Sequence, residues 1–184
     1  MILASRSPRR AEILSAVGWP YEVKVAGIDE TLRANEEARD YVQRLAVAKA
    51  EAVAKTLDQG LVLGADTTVV IEGQILGQPA DVEDARRMLK LLSGRWHEVL
   101  TGVALIRADQ SGKLRVGLER TRVRFADLTD DEITWYIASG EPMDKAGAYG
   151  VQGKAALFIK EIEGDYFNVM GLPIRLVYQM SKML

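Results

Sequence analysis

Apolar residues along this chain follow two rhythms, and each predicts its own kind of element. Runs dense in aliphatic and β-branched residues read as strands over 2–5, 21–25, 61–71, 99–107 and 114–125. Glu72-Gly73-Gln74 turns the 61–71 strand back toward Ile75 and Leu76, and Gln110-Ser111-Gly112 joins the strands on either side of it. Apolar residues at helical spacing predict helices over 8–17, stopped by Gly18, and from Asn35 to about Leu57 with Glu36 and Glu37 in the first turn. An amphipathic helix is expected over 81–92, ending before Gly94, and another from its cap Thr129 to about Ser139. A hairpin is predicted over 157–162 and 166–169 through Gly164-Asp165, and Pro173 begins a terminal helix. Helices and strands alternate irregularly and hairpins interrupt them. The pattern therefore predicts a mixed α/β sheet, not a purely parallel one.

Length and composition act mainly by exclusion. The 184 residues suit one domain whose core needs no metal or disulfide staple. There is no cysteine and a single histidine, His97, which removes disulfides, thiol catalysis, thiolate metal sites and multi-histidine zinc. A net charge of −2 argues against a general grip on nucleic acid, and the scattered aromatic residues offer no platform for stacking bases. No apolar run approaches the ~20 residues of a membrane span, and no secretion signal is recognisable. The expected partners exclude nucleic acid and membrane, and a cytoplasmic location is the default expectation.

Against this background LASRSPRR, residues 3–10, raises an electrostatic question. Ser7 and Pro8 have the chemistry of a helix start, which places Arg9 and Arg10 at the positive end of the helix dipole. Arg10, Ile13, Leu14 and Val17 share one helix face, so Arg10 heads an inward stripe and requires an anionic partner. An internal salt bridge is the ordinary reading. A bound phosphate chain is the sharper one, because free N–H groups and two forked guanidinium groups suit it.

Asp66 interrupts the most apolar strand, beside Gly64 and Ala65, and needs a cation, a metal or a raised pKa. Thr67 follows it on the opposite face or at a bend. Asp29 and Glu30 read first as solvent-facing loop carboxylates, yet with Asp66 they offer the hard oxygen ligands that Mg²⁺ prefers. Lys49, in an alanine-rich helix, reads first as pointing to water. Gly147, Gly150 and Gly153 mark a segment where backbone can approach a flat ligand, with Lys145 and Gln152 as polar handles. It matches neither a P-loop nor a dinucleotide fingerprint. His97 has no partners for a catalytic triad and reads as structural.

The stretches LASRSPRR, IDE, LGADTTV, DKAGAYGVQG and VMGLP stand in this order. Together they resemble the Maf family of nucleoside triphosphate pyrophosphatases, from Ile2 to about Leu176. DKAGAYGVQG is similar to the branch associated with dTTP and UTP. The resemblance implies an elongated, twisted mixed sheet flanked by helices, in two lobes with a central cleft, related to the inosine triphosphatase fold. It implies a homodimer and a divalent cation, Mg²⁺ or Mn²⁺, as cofactor. By position, Asp66 would accept a proton, Glu30 and Asp66 would hold metal and water, and Lys49 would touch the triphosphate. Ser7, Arg9, Arg10, Thr67, Gln78, Lys145 and Gln152 would contact substrate, with Arg9, Thr67 and Gln152 tied to substrate choice. ILGQP departs from the family's I-L-x-K-P, so Gln78 replaces an expected lysine, and Lys145 or Arg95 would have to compensate. The rival readings are a nucleotide-sensing or division-regulating module without turnover, and a pyrophosphatase for modified purine nucleotides.

Overall fold

The computed structural model describes residues 1–109 and 112–184, so Gln110 and Ser111 of the expected turn lie outside the described residues. Among the described residues, seven strands form one sheet: β1 (Ile2–Leu3), β2 (Glu22–Val23), β3 (Leu61–Ile71), β4 (Gln74–Leu76), β5 (Trp96–Arg107), β6 (Leu114–Phe125) and β7 (Ile159–Glu163). Their order is β2-β1-β3-β5-β6-β7, with β4 paired to β3 off that path. β1 runs parallel to β2 and to β3, whereas β3–β4 and β6–β7 are antiparallel. The sheet is mixed, as the pattern of the sequence predicts. Helices α1 (Pro8–Ala16), α2 (Ala38–Ala54), α3 (Val82–Leu92), α4 (Asp130–Ala138), α5 (Tyr166–Met170) and α6 (Ile174–Ser181) flank it. Among the described residues, no helix is long and apolar enough to cross a membrane.

The chain forms two compact units: Met1–Thr67, Thr101–Glu119 and Gly171–Leu184 make the first, Thr68–Leu100 and Arg120–Met170 the second. Unit 1 buries Leu3, Ile13, Leu14, Leu45 and Leu63, but where α2 meets the sheet it packs small residues. Ala46, Ala50 and Val53 of α2 pack with Val62, Ala104 and Ile106. Gly64 of β3 lets the helix come close, for a methyl group there would overlap the Ala46 carbonyl oxygen and lie 2.9 Å from the Ala50 methyl carbon. On β5, a methyl group at Gly102 would likewise overlap the Val42 carbonyl. The alanines of α2 are thus a packing device as well as good helix formers.

Unit 2 is built on rings. Phe125 and Tyr149 meet at 4.8 Å between centroids, and Tyr136 and Phe158 at 5.3 Å, both edge to face. Helix α3 buries Ala85, Met88, Leu89 and Leu92, and Asp81 caps it by accepting from the Asp84 N–H. Thr129 and Glu132 close a capping box at the start of α4.

Two expectations are corrected. Residues 166–169 belong to α5, not to a hairpin strand, and β7 pairs with β6 instead. The cause is Asp165, whose Oδ1 accepts from Phe167 N at 2.7 Å and Asn168 N at 3.3 Å and so caps a helical turn. Asn168 then turns inward, where its Nδ2 donates to Val99 O and Thr121 Oγ1 at 3.0 Å each. Capping and buried hydrogen bonds override the strand propensity of Tyr166 and Phe167. Helix α2 also starts later than expected, after Glu37, because Asn35 adopts a left-handed φ of 58° and Glu36 is drawn away from the helix.

Candidate active site

Successive residues of β3 point to opposite faces. Gly64 and Asp66 face α2, while Thr67 faces the other way. Contact at Gly64 sets how near α2 lies, and one turn beyond Ala46 it delivers Lys49 to Asp66, with Nζ 2.6 Å from Oδ1. The same ammonium lies 3.0 Å from Glu30 Oε1. Lys49 is therefore not directed at water: its side chain is 15% exposed, against 11% for Asp66 and 55% for Glu30. Burial raises the Asp66 carboxyl above its ordinary value, and the charges of Lys49 and Arg10 oppose that rise.

Glu30 sits in a loop that is strapped down. Asp29 turns its Oδ1 to Thr31 N at 2.9 Å, and Tyr41 Oη donates to the Glu30 carbonyl at 3.1 Å. Arg44 grips Glu36 through Nε–Oε1 at 2.5 Å and Nη2–Oε2 at 2.7 Å, and it donates to Thr31 O at 3.1 Å. The Arg44 hydrogen bond pulls the Glu36 carboxyl down to about 2. This strap was missed in the sequence because Glu36 reads there as a first-turn helix residue. No helical periodicity signals it, because Glu36 lies before α2, next to the left-handed Asn35.

Arg10 turns inward, as its place on the helix face predicts. It is buried, and its bonds run to neutral oxygens: Nε to Gly171 O at 2.8 Å, Nη1 to Ser5 Oγ at 3.0 Å and Ala65 O at 2.8 Å, and Nη2 to Thr67 Oγ1 at 3.1 Å. Burial lowers its pKa, while the nearby charge of Asp66 supports the cation. Arg10 thus holds both residues that flank Asp66. Thr67 Oγ1 is 2.9 Å from Thr101 Oγ1 on β5, which ties the same point to the next strand. Ser7 occupies the cap position of α1 but its hydroxyl makes no cap bond; its N–H donates to Ser5 Oγ at 3.2 Å. Arg9 is partly exposed in the first turn.

The remaining candidates lie in unit 2. Gln78 Nε2 donates to Asp144 O at 3.2 Å. Lys145 Nζ donates to Glu141 O at 2.7 Å and to Asp144 Oδ1 at 2.6 Å. Gln152 is exposed. Arg95 is paired with Glu72 at 2.9 Å. His97 is structural, as expected: it is buried, its Nε2 lies 2.8 Å from Tyr149 Oη, and burial lowers its pKa to about 4.

Among the described residues, no group of three or more His, Cys, Asp or Glu side chains is placed to hold a metal ion. Two carboxylates that converge on one ammonium do suit a hard cation that brings further oxygens with it, which is how Mg²⁺ binds beside phosphates. Glu30 and Asp66 fit that role; a cage made by the protein alone does not.

A family model described as Maf-like protein matches residues 1–184. A protein named dTTP/UTP pyrophosphatase from Symbiobacterium thermophilum is 52% identical over 180 residues, 98% of this chain and 91% of its own. One of the same name from Bacillus cytotoxicus is 50% identical over 182 residues, 98% of this chain and 94% of its own. The solved structure of the Staphylococcus aureus Ham1 protein matches with a TM-score of 0.56 at 14% identity, over 98% of this chain and 97% of that one, and so shares its fold. With its motifs in order, its carboxylates gathered on Lys49 and the match spanning its whole length, this chain belongs to the Maf-like family.

Proposed function

We propose that this protein is a nucleoside triphosphate pyrophosphatase that converts dTTP and UTP to the monophosphate and pyrophosphate. The observation that carries this reading is the Lys49 ammonium set between Asp66 and Glu30, in a chain about half identical to proteins of that name. Phosphoryl transfer depends on placing charge and nucleophile correctly more than on covalent chemistry.

Asp66 is the proton acceptor. Its buried carboxylate is a stronger base than a solvated one, and Lys49 keeps it ionised and fixed in direction. Water attacks phosphorus, its proton passes to Asp66, the bridging P–O bond between the α- and β-phosphates breaks, and the electron pair leaves with pyrophosphate. Lys49 and Arg9 meet the negative charge that develops on the phosphates, and the first turn of α1 favours it further. Arg10 positions Asp66 by holding Ala65 and Thr67. Glu30 and Asp66 would hold a divalent cation, Mg²⁺ or Mn²⁺, which would supply charge neutralisation and a lowered pKa for bound water. Gln152, with Arg9 and Thr67, serves substrate choice, Lys145 contacts substrate, and Gln78 brings no charge of its own. The homodimer and the cytoplasmic location are supported by the family resemblance.

The test incubates the purified chain with dTTP, UTP and canonical and modified purine triphosphates, with Mg²⁺ or Mn²⁺, and identifies the products. Pyrophosphate from dTTP and UTP is expected. Asp66→Asn should lower kcat by about 10²–10⁴-fold while nucleotide binding persists. Release of orthophosphate, a purine preference, or full turnover by Asp66→Asn overturns the assignment.

A further inference from the structure

Glu141 lies just after α4 and clamps the segment that carries Gln152. Its Oε1 accepts from Tyr136 Oη at 3.1 Å, its Oε2 accepts from Lys154 N at 3.1 Å, and its carbonyl oxygen accepts from Lys145 Nζ at 2.7 Å. Gly153, with φ at +111°, rests directly on the carboxylate, where a methyl group would lie 2.8 Å from Oε1 and 3.0 Å from Oε2. Gly150 rests on the Lys145 stem, where a methyl group would lie 2.8 Å from Cε. Tyr149 is anchored through its hydroxyl, 2.8 Å from His97 Nε2. Residues 149–154 are therefore held at both ends, and Gln152 projects from between buried Val151 and the clamp. Two of the glycines at intervals of three have a specific purpose here: Gly150 and Gly153 leave room for Lys145 and Glu141 beneath the segment.

We propose that Glu141 is a positioning residue for base selection, fixing through Tyr136, Gly153 and Lys154 the direction in which Gln152 is presented. This inference rests on the reading above, in which Gln152 takes part in substrate choice. Glu141 touches no reacting atom. Its loss therefore appears in substrate affinity and in preference among bases, and not in the chemical step. The carboxylate suits the task because one short side chain accepts from a hydroxyl and from a backbone N–H that would otherwise need another partner.

The experiment measures kcat and KM for dTTP, UTP and a purine triphosphate on the full chain and three variants. Glu141→Ala should raise KM for dTTP and UTP by about 10-fold and narrow the pyrimidine preference, with kcat kept within about 3-fold. Glu141→Gln should restore KM to within about 2-fold, because the amide oxygen can accept from Lys154 N while its N–H donates to Tyr136 Oη. A folded Glu141→Ala variant with unchanged KM and base preference overturns the proposal, and so does a Glu141→Gln variant as impaired as Ala. Should Glu141→Ala fail to fold, Tyr136→Phe decides: a KM increase of about 3-fold at constant kcat supports the clamp, and no change overturns it. A wild-type chain that binds a non-hydrolysable dTTP analogue without turnover refutes the pyrophosphatase assignment alone, and the same comparisons are then read as dissociation constants. A wild-type chain that neither binds nor hydrolyses dTTP refutes both.

Discussion

Unit 1 seats α2 on Gly64 and Gly102 and buries two charged side chains, Arg10 and Asp66. Unit 2 fills its core with Phe125, Tyr136, Tyr149 and Phe158, and the polar groups it buries, among them His97, Thr121 and Asn168, are uncharged. Rings bring much apolar area per residue and stabilise the second unit accordingly. They also keep backbones apart. Alanine and glycine bring little area but allow a helix to lie close on a strand. At that separation a lysine stem can stay inside the protein and set its ammonium on a strand carboxylate. The buried ion pair lies where the packing is small, at the face that β3 presents to α2.

The largest test of this contrast is Gly64→Ala. The added methyl group overlaps the Ala46 carbonyl, so α2 must shift and the contact of 2.6 Å between Lys49 and Asp66 is lost. We expect a loss of about 2–3 kcal/mol in stability together with about 100-fold in pyrophosphate release. Phe125→Leu in unit 2 should destabilise comparably, by about 1–3 kcal/mol, yet leave kcat within a few-fold. Urea unfolding and steady-state rates on both variants check this, and equal kinetic damage from the two would dissolve the contrast.

A medium effect concerns pH. His97 falls from 6.5 to about 4 on folding because it is buried, so the unfolded chain binds more protons between those values. Its contribution to stability is fully present above pH 6.5 and is lost as the pH falls toward 4, about 3 kcal/mol across the window. His97→Gln should remove that slope from unfolding free energies measured at successive pH values; an unchanged slope would assign the proton uptake to another group. The smallest effect belongs to the surface pair Arg122–Glu163, at 2.7 Å on the β6–β7 ladder with both side chains about half exposed. Glu163→Gln should cost less than about 0.5 kcal/mol in urea unfolding, and a larger loss would show that this edge pair does more than its exposure suggests.

Much of this was legible in advance. The 61–71 strand carries its own limits, because an apolar run that ends in Glu-Gly has one obvious reading, and the residues of β3 agree with it. Thr129 and Glu132 announce their capping box at the right spacing. Lys49 was legible only through the family resemblance. Read alone, an alanine-rich helix looks like a solvated one, and the clue to its burial, Gly64 two places before Asp66, is a relation between distant segments. Arg10 was legible as inward but not in its partners, since two carbonyls and two hydroxyls leave no charge pattern to find. Helix α5 escaped because Tyr166, Phe167 and Val169, three residues with strand propensity, follow an aspartate whose side chain caps a helical turn.

The strap that joins Arg44 to Glu36 and Thr31 has a consequence for how the protein meets its ligand. It pins the far side of the turn that carries Glu30, so this carboxylate waits beside Lys49 with its backbone already committed. A polyanion approaching that ammonium competes for a partner that is in place and half in water, and no segment has to be ordered first. Entry is then an exchange of anions around one tethered cation, whose long stem can follow the newcomer while the strand acid stays where it is. Added salt, by loosening the resident pair and screening the newcomer alike, should weaken capture while leaving the architecture intact.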